Sequence, residues 1–233
     1  LAPGYLRQSI MAFAVIVAAG RGTRMGSDKL FLEVGGLPVV GHSWKRFDAH
    51  PDIEGVVLVV RPDNRALFEG LASRLSLTRP YTLSVGGAER QDSVLNGLEA
   101  VPAEVEIVAI HDGARPCIDE QTITDTLNAA RKKGAAVAAS PVVDTLKLAD
   151  GDLTVSRNVD RTHLWAVQTP QAFRREIILE AMNAVRDQNA AVTDDTAACE
   201  LIGQEVALVA SHALNPKVTT PADLPLVEFL LSQ

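Results

Sequence analysis

The sequence predicts an α/β fold: a Rossmann-like, mostly parallel sheet with helices on both faces, plus a projecting antiparallel β-arm. Three observations carry this expectation. Short apolar runs rich in Val, Ile and Ala recur along the chain, each bounded by turn residues, as strands buried on both faces require. Segments with apolar residues at helical spacing lie between them, so the order alternates strand and helix. The rhythm breaks once, after Pro141, in a polar, alternating stretch.

The elements follow in order. Residues 13–19 read as the first buried strand, and residues 38–50 as a helix carrying Val39, Val40, Trp44 and Phe47 on one face. "GVVLVV" (55–60) is a second strand, and Pro62 opens a helix to about Leu75. "YTLSV" (81–85) is a third strand, followed by Gly86-Gly87 and a helix through Leu98. "VEIVAI" (105–110) is a fourth, ending at "HDGARP", and helix 119–133 has Asp119 as its N-cap. "GAAVAAS" (134–140) is a fifth. Residues 142–170 then read as an antiparallel arm that turns at Ala149-Asp150-Gly151-Asp152. Helices near 173–189 and 194–203, a strand at 205–210, a short strand before Thr219, and a helix capped by Thr220 with Pro221 at its first position complete the chain. No repeat or linker divides it, so residues 11–233 read as one domain, with residues 1–10 a leader or expression remnant.

Bulk composition narrows the function. A net charge of −7 across 233 residues argues against generic nucleic-acid or anionic-membrane binding, since no basic excess exists to neutralise phosphates broadly. Two distant cysteines, Cys117 and Cys199, form no metal-binding pattern and fit a reducing, cytoplasmic setting. No apolar run approaches the roughly 20 residues that span a bilayer. Any phosphate ligand must therefore meet a local cluster of cations.

"VIVAAGRGTRMGSDK" (15–29) supplies one candidate cluster. Its spacing fails the GxxxxGK pattern of a P-loop, because Gly20 plus five is Met25 and Gly22 plus five is Ser27. Gly20, Gly22 and Gly26 give GxGxxxG, near a dinucleotide fingerprint, but the second strand ends in Val60-Arg61-Pro62 where that fold places an acid on the ribose. Arg21, Arg24 and Lys29 exceed what a pyrophosphate on a helix N-terminus needs. A plain Gly-rich turn with surface cations is the alternative. Ligands of open α/β sheets sit beyond the carboxyl ends of the strands, which puts Gly20–Lys29, Gly86–Ser93 and His111–Pro116 on one rim.

Taken with "GGAERQDSV" (86–94), "HDGARP" (111–116), "NVDRTHLWAVQTPQAF" (158–173), "TDD" (193–195) and "NPKVTTPADL" (215–224), the loop resembles the polyol-phosphate cytidylyltransferases of the nucleotidyltransferase superfamily. The nearest resemblance is to the 2-C-methyl-D-erythritol 4-phosphate cytidylyltransferase family of the non-mevalonate isoprenoid pathway. It implies transfer of CMP from CTP to a polyol phosphate, with release of pyrophosphate. It also implies Mg²⁺ carried mainly by the CTP phosphates, with Asp112 the nearest carboxylate and no dedicated protein cage for the metal. By the same resemblance, Arg24, Lys29 and Lys217 are catalytic cations. Ala18, Ala19, Gly20, Arg21, Gly22, Gly86, Gly87 and Ser93 hold the nucleotide, and Asp112, Arg115, Arg161, Thr169 and Thr193 hold the polyol phosphate. An arm at about 142–168 would embrace a second subunit and deliver Arg161 and Thr169 to its site, making a homodimer with shared active sites. Arg90 either orients the nucleotide loop or pairs with a nearby acid, Thr193 doubles as a possible N-cap, and His111 receives no chemical role. Ala88, Asp28 and Gly113 depart from residues common in the family. Ribitol 5-phosphate or another sugar phosphate, and in another class an NAD(P)-binding oxidoreductase or a non-catalytic nucleotide-binding module, are the competing readings.

Overall fold

The computed structural model describes residues 12–20 and 29–233; Arg21, Gly22 and Arg24, and residues 1–10, lie outside them. The first half of the chain comprises β1 (Ala12–Val17), the short pair β2 (Glu33–Val34) and β3 (Leu37–Pro38), α1 (Val39–Ala49), β4 (Ile53–Val60), α2 (Arg65–Leu75), β5 (Tyr81–Val85) and α3 (Arg90–Glu99). Next come β6 (Ile107–Asp112), α4 (Glu120–Lys133), β7 (Ala135–Pro141), β8 (Leu146–Ala149), β9 (Val155–Val159) and β10 (Trp165–Arg174). The remainder holds α5 (Arg175–Asp187), α6 (Asp195–Glu200), β11 (Ala207–Ala210) and α7 (Leu224–Leu231).

Seven strands form one sheet in the order β11-β7-β10-β6-β1-β4-β5. All run parallel except β10, which lies antiparallel between β6 and β7. The fold class is therefore the expected one, a mostly parallel sheet covered on both faces. Alternation along β1 sends Ala14 and Ile16 into one core with Trp44 and Phe47 of α1, Phe68 of α2 and Leu127 of α4. Val15 points into the opposite core with Leu98 of α3, Met182 of α5 and Cys199 of α6. Chain order reverses beside β1: the chain leaves it towards β4 and β5, then returns to its other edge as β6. That switch opens a crevice at the carboxyl ends of β1 and β6.

Several sequence expectations move. Residues 165–170, read as part of the arm, begin the long central strand β10, where Trp165 pairs with Pro141 and Phe173 with Ala135. Pairing of Arg174 with Ile107 of β6 also delays the expected helix at 173 to Arg175. The segment before Thr219 forms no strand; Val218 donates one backbone bond to Ala114 O at 2.8 Å. Thr220 caps a single 3₁₀ turn, Pro221–Asp223, and α7 starts only after it. Asp119 caps α4 as expected, accepting from Thr122 N at 2.8 Å. The hairpin β8–β9 pairs only with itself and exposes Leu148, Leu153 and Val155. Among the described residues no helix is long and apolar enough to cross a membrane.

Candidate active site

Four chain segments meet at the carboxyl ends of the strands. The first continues β1: Ala18 N donates to Val59 O at 2.8 Å, which carries Ala19 and Gly20 to the rim. Lys29 follows on a 3₁₀ turn, and its Nζ donates to Val218 O at 3.0 Å. The second segment is the loop after β5. Gly86 N donates to Val60 O at 2.9 Å, and a Cβ on Gly86 would come within 2.3 Å of Ala19 Cβ. A Cβ on Gly87 would meet Asp92 Cβ at 2.2 Å. Only glycine lets these two segments touch. Ser93 Oγ accepts from Gly87 N and donates to Glu89 O, both at 3.0 Å, so this hydroxyl holds the loop closed over the start of α3.

The third segment is the end of β6. Gly113 N donates to Val17 O at 3.0 Å, extending the β1–β6 ladder and presenting Asp112 to the crevice. Lys217, on the fourth segment, donates to Asp112 Oδ2 at 2.6 Å. Arg90 and Arg115 each stand 3.8 Å from the same carboxylate. Burial alone would raise the Asp112 carboxyl, but Lys217 and then Arg90 outweigh it and hold the pKa below the ordinary value.

Beneath this cluster lies a closed ring of hydrogen bonds. His111, fully buried, has Nε2 at 3.1 Å from Arg115 O. A carbonyl can only accept, so Nε2 carries the proton and Nδ1 accepts from the Thr169 hydroxyl at 3.0 Å. Thr169 Oγ1 in turn accepts from Asp112 N at 3.1 Å. Asn215 Nδ2 donates to Thr169 O at 2.9 Å, and Arg115 Nη1 donates to Asn215 O at 2.8 Å. Burial lowers the His111 pKa to about 4, so the ring is built on a neutral imidazole.

The structure brings most of the sequence-derived residues together. Ala19, Gly20, Lys29, Gly87, Ser93, Asp112 and Lys217 line one cavity of about 680 Å³. Ala18 and Gly86 support its wall, while Arg115 and Thr169 belong to the ring below, their contacts directed at protein atoms. Arg161 stands apart at the base of the hairpin, where Nη1 donates to Val142 O at 3.0 Å beside a separate concavity of about 510 Å³. Thr193 is exposed just before α6 and is not its cap; Asp194 caps that helix by accepting from Ala197 N at 2.9 Å. Sequence reasoning passed over Asn215, Gln171 and His111 as parts of the site. Each lies within a quoted motif, His111 near the end of β6, Gln171 inside β10 and Asn215 just before Lys217, and that motif membership was the available signal. Arg90, left open between two roles, makes a bidentate pair with Asp195 at 2.7 and 2.8 Å.

Comparison with known proteins gives one answer. The family model described as IspD, 2-C-methyl-D-erythritol 4-phosphate cytidylyltransferase, matches residues 12–233. The 2-C-methyl-D-erythritol 4-phosphate cytidylyltransferase of Pelotomaculum thermopropionicum is 44% identical over 221 residues, covering 94% of this chain and 93% of the relative. That of Geobacillus kaustophilus is also 44% identical, covering 94% and 96%. The structure of 4-diphosphocytidyl-2C-methyl-D-erythritol synthase from Anaerococcus prevotii superposes with a TM-score of 0.85 at 28% identity, covering 97% of each chain. The Thermus thermophilus enzyme gives 0.76 at 31% identity, covering 94% of this chain and 98% of that one. With its glycine-dependent loop contacts and its Lys217–Asp112 pair on the rim of the same sheet, this chain belongs to the 2-C-methyl-D-erythritol 4-phosphate cytidylyltransferase family, and it is an enzyme.

Proposed function

We propose that the 680 Å³ cavity is where CMP passes from CTP to 2-C-methyl-D-erythritol 4-phosphate, giving 4-diphosphocytidyl-2-C-methyl-D-erythritol and pyrophosphate. The observation that carries this reading is the convergence of Lys29, Lys217 and the Gly86–Ser93 loop on that one cavity. A phosphate monoester has its second pKa near 6, so the attacking oxygen is already ionised at neutral pH and needs no general base. The remaining task is to bring two polyanions together and stabilise charge on the α-phosphoryl group, which positioned cations do.

In this reading the backbone of Ala18, Ala19 and Gly20, continuing through Arg21 and Gly22, approaches the triphosphate. Gly86, Gly87 and Ser93 hold the cytidine. Arg24, Lys29 and Lys217 carry the developing charge, and Asp112, Arg115, Thr169 and Thr193 frame the polyol phosphate. Two carboxylates, Asp112 and Glu89, line the cavity, and Asp112 is already pinned by Lys217. Among the described residues no group of three or more His, Cys, Asp or Glu is arranged to hold a metal ion. That donor set fits Mg²⁺ carried on the triphosphate, with Asp112 able to add one oxygen. When bound, Mg²⁺ neutralises phosphate charge and orients the chain of phosphates.

The same proposal makes the enzyme a cytoplasmic homodimer of one-domain subunits, with the arm at about 142–168 lending Arg161 to the partner's site. Thr169, expected to go with it, is instead buried in its own chain's ring on β10, bonded to Asp112 N and His111 Nδ1. Two observations support the dimer. A lone two-stranded hairpin is marginal in water, and this one exposes Leu148, Leu153 and Val155. Arg161 sits on the hairpin, apart from its own chain's cavity. Free, buried Cys117 and Cys199 accord with a reducing compartment.

The test is a substrate panel with pyrophosphate release as readout. The protein and Mg²⁺ are incubated with each of the four nucleoside triphosphates and either 2-C-methyl-D-erythritol 4-phosphate or ribitol 5-phosphate. Release with CTP and the methylerythritol phosphate alone is expected; release with ribitol phosphate instead would reassign the substrate, and no release with any pair would overturn the reading.

A further inference from the structure

Arg90 opens α3 directly after the nucleotide loop and lines the cavity, yet its charge is already engaged. Both terminal nitrogens donate to Asp195, the first residue of α6, at 2.7 and 2.8 Å. Asp195 is 1% exposed and is itself fixed, because its backbone N–H donates to Gln171 Oε1 at 3.1 Å. Gln171 Nε2 donates to Asp194 Oδ2 at 2.9 Å, locking the cap of α6 to the end of β10. On its way to Asp195 the guanidinium passes 3.8 Å from Asp112 Oδ1. One side chain thus spans the mouth of the site, from the loop assigned to cytidine, past the carboxylate that holds Lys217, to the loop that carries Thr193.

We infer that Arg90 and Asp195 form a positioning pair, whose fork sets the spacing between the nucleotide side and the polyol-phosphate side of the cavity. The pair is suited to spacing and not to phosphate binding. A carboxylate receiving both arms of a guanidinium neutralises it and fixes its plane, whereas a lysine would offer a point charge on a flexible stem. Burial opposes charge on Arg90, but the two Asp195 oxygens outweigh it and keep the guanidinium ionised. With Asp195 absent, Arg90 would be drawn to Asp112 and would compete there with Lys217. The two walls it joins come from residues 105 positions apart in sequence, and both substrates must fit between them.

The inference rests on the proposed reaction, and one experiment separates their failures. The variants are Arg90→Lys, Asp195→Asn and the double variant Arg90→Met/Asp195→Leu. Each is compared with the parent for thermal midpoint and for kcat and KM with CTP and with 2-C-methyl-D-erythritol 4-phosphate. The double variant removes both charges together, leaves no unpaired buried ion, and should melt within a few degrees of the parent. Its KM should nonetheless rise about tenfold or more for both substrates, because displaced walls misplace both. Arg90→Lys should not rescue either KM, and the double variant should be no worse than the single ones. A double variant with parental KM for both substrates, or a rise for only one of them, would overturn the positioning role while leaving the reaction intact. A parent that releases no pyrophosphate with this substrate pair would remove the reaction and the inference together.

Discussion

His111 gives the enzyme an acid-sensitive joint whose cost follows from its surroundings. The imidazole is fully buried, lies against the Phe47 ring at 4.9 Å, and spends both nitrogens inside the hydrogen-bonded ring. Protonation would place a second donor at Nδ1, opposite the Thr169 hydroxyl, whose other bond is received from Asp112 N. The folded pKa is lowered to about 4 by burial, against an ordinary value of 6.5. Between those values the unfolded chain binds the proton and the folded chain does not, so this stability is present above pH 6.5 and is lost as the pH falls towards 4. Taking the stability from pH 7 to pH 5, this one group should cost about 2 kcal/mol. Urea unfolding at the two pH values measures it, with His111→Gln as the reference that subtracts the other four histidines. The variant should be weaker than the parent at pH 7, by about 1–3 kcal/mol for the unpaired ring partners. It should lose about 2 kcal/mol less than the parent on going to pH 5. Equal losses in parent and variant would refute the neutral-ring account.

Three further outcomes are expected. Gly86→Ala should weaken CTP binding by about ten- to a hundredfold in calorimetry, because its Cβ would meet Ala19 Cβ at 2.3 Å and neither atom can rotate aside; parental affinity would contradict the contact. Lys217→Ala should lower kcat by about ten- to a hundredfold, the worth of one charge-assisted hydrogen bond in the transition state. Its melting point should barely move, since the Lys217 side chain is 41% exposed, and a large shift would recast Lys217 as structural. For the shared-site proposal, Arg161→Ala and Lys29→Ala subunits are dissociated, mixed in equal amounts and reassociated. About a quarter of the sites should then carry both native residues. Activity no higher than that of either parent variant would end the proposal of shared sites.

The sheet was largely legible because its strands are continuous apolar runs bounded by Gly, Pro and Asp, a pattern that parallel burial imposes. β10 escaped notice for a physical reason. Its middle, Gln168-Thr169-Pro170-Gln171, is polar and contains a proline, which argues against a central strand. The structure accommodates that proline where pairing with β7 is irregular, between Val167 and Gln171. The terminal strand expected before Thr219 failed because Pro216 sits in a segment held mainly by side-chain and single backbone bonds. At the site, the glycine loops and the cations Lys29 and Lys217 could be read from motifs, but their pairings could not. Arg90 with Asp195, Arg115 with Asn215 and Lys29 with Val218 are separated by 105, 100 and 189 positions, and a charge in isolation does not name its partner.

The hairpin leaves the sheet at the end of β7 and comes back as β10, the strand already hydrogen-bonded to β7. Departure and return are therefore neighbours, and whatever happens between them is invisible to the registers of the other strands. Such a hairpin can lengthen, shorten or change its surface over evolutionary time without disturbing the catalytic rim. The proposed loan of Arg161 binds only the base of the hairpin to the chemistry, so the tip between β8 and β9 is where a designer could change the surface while leaving the cavity as it is.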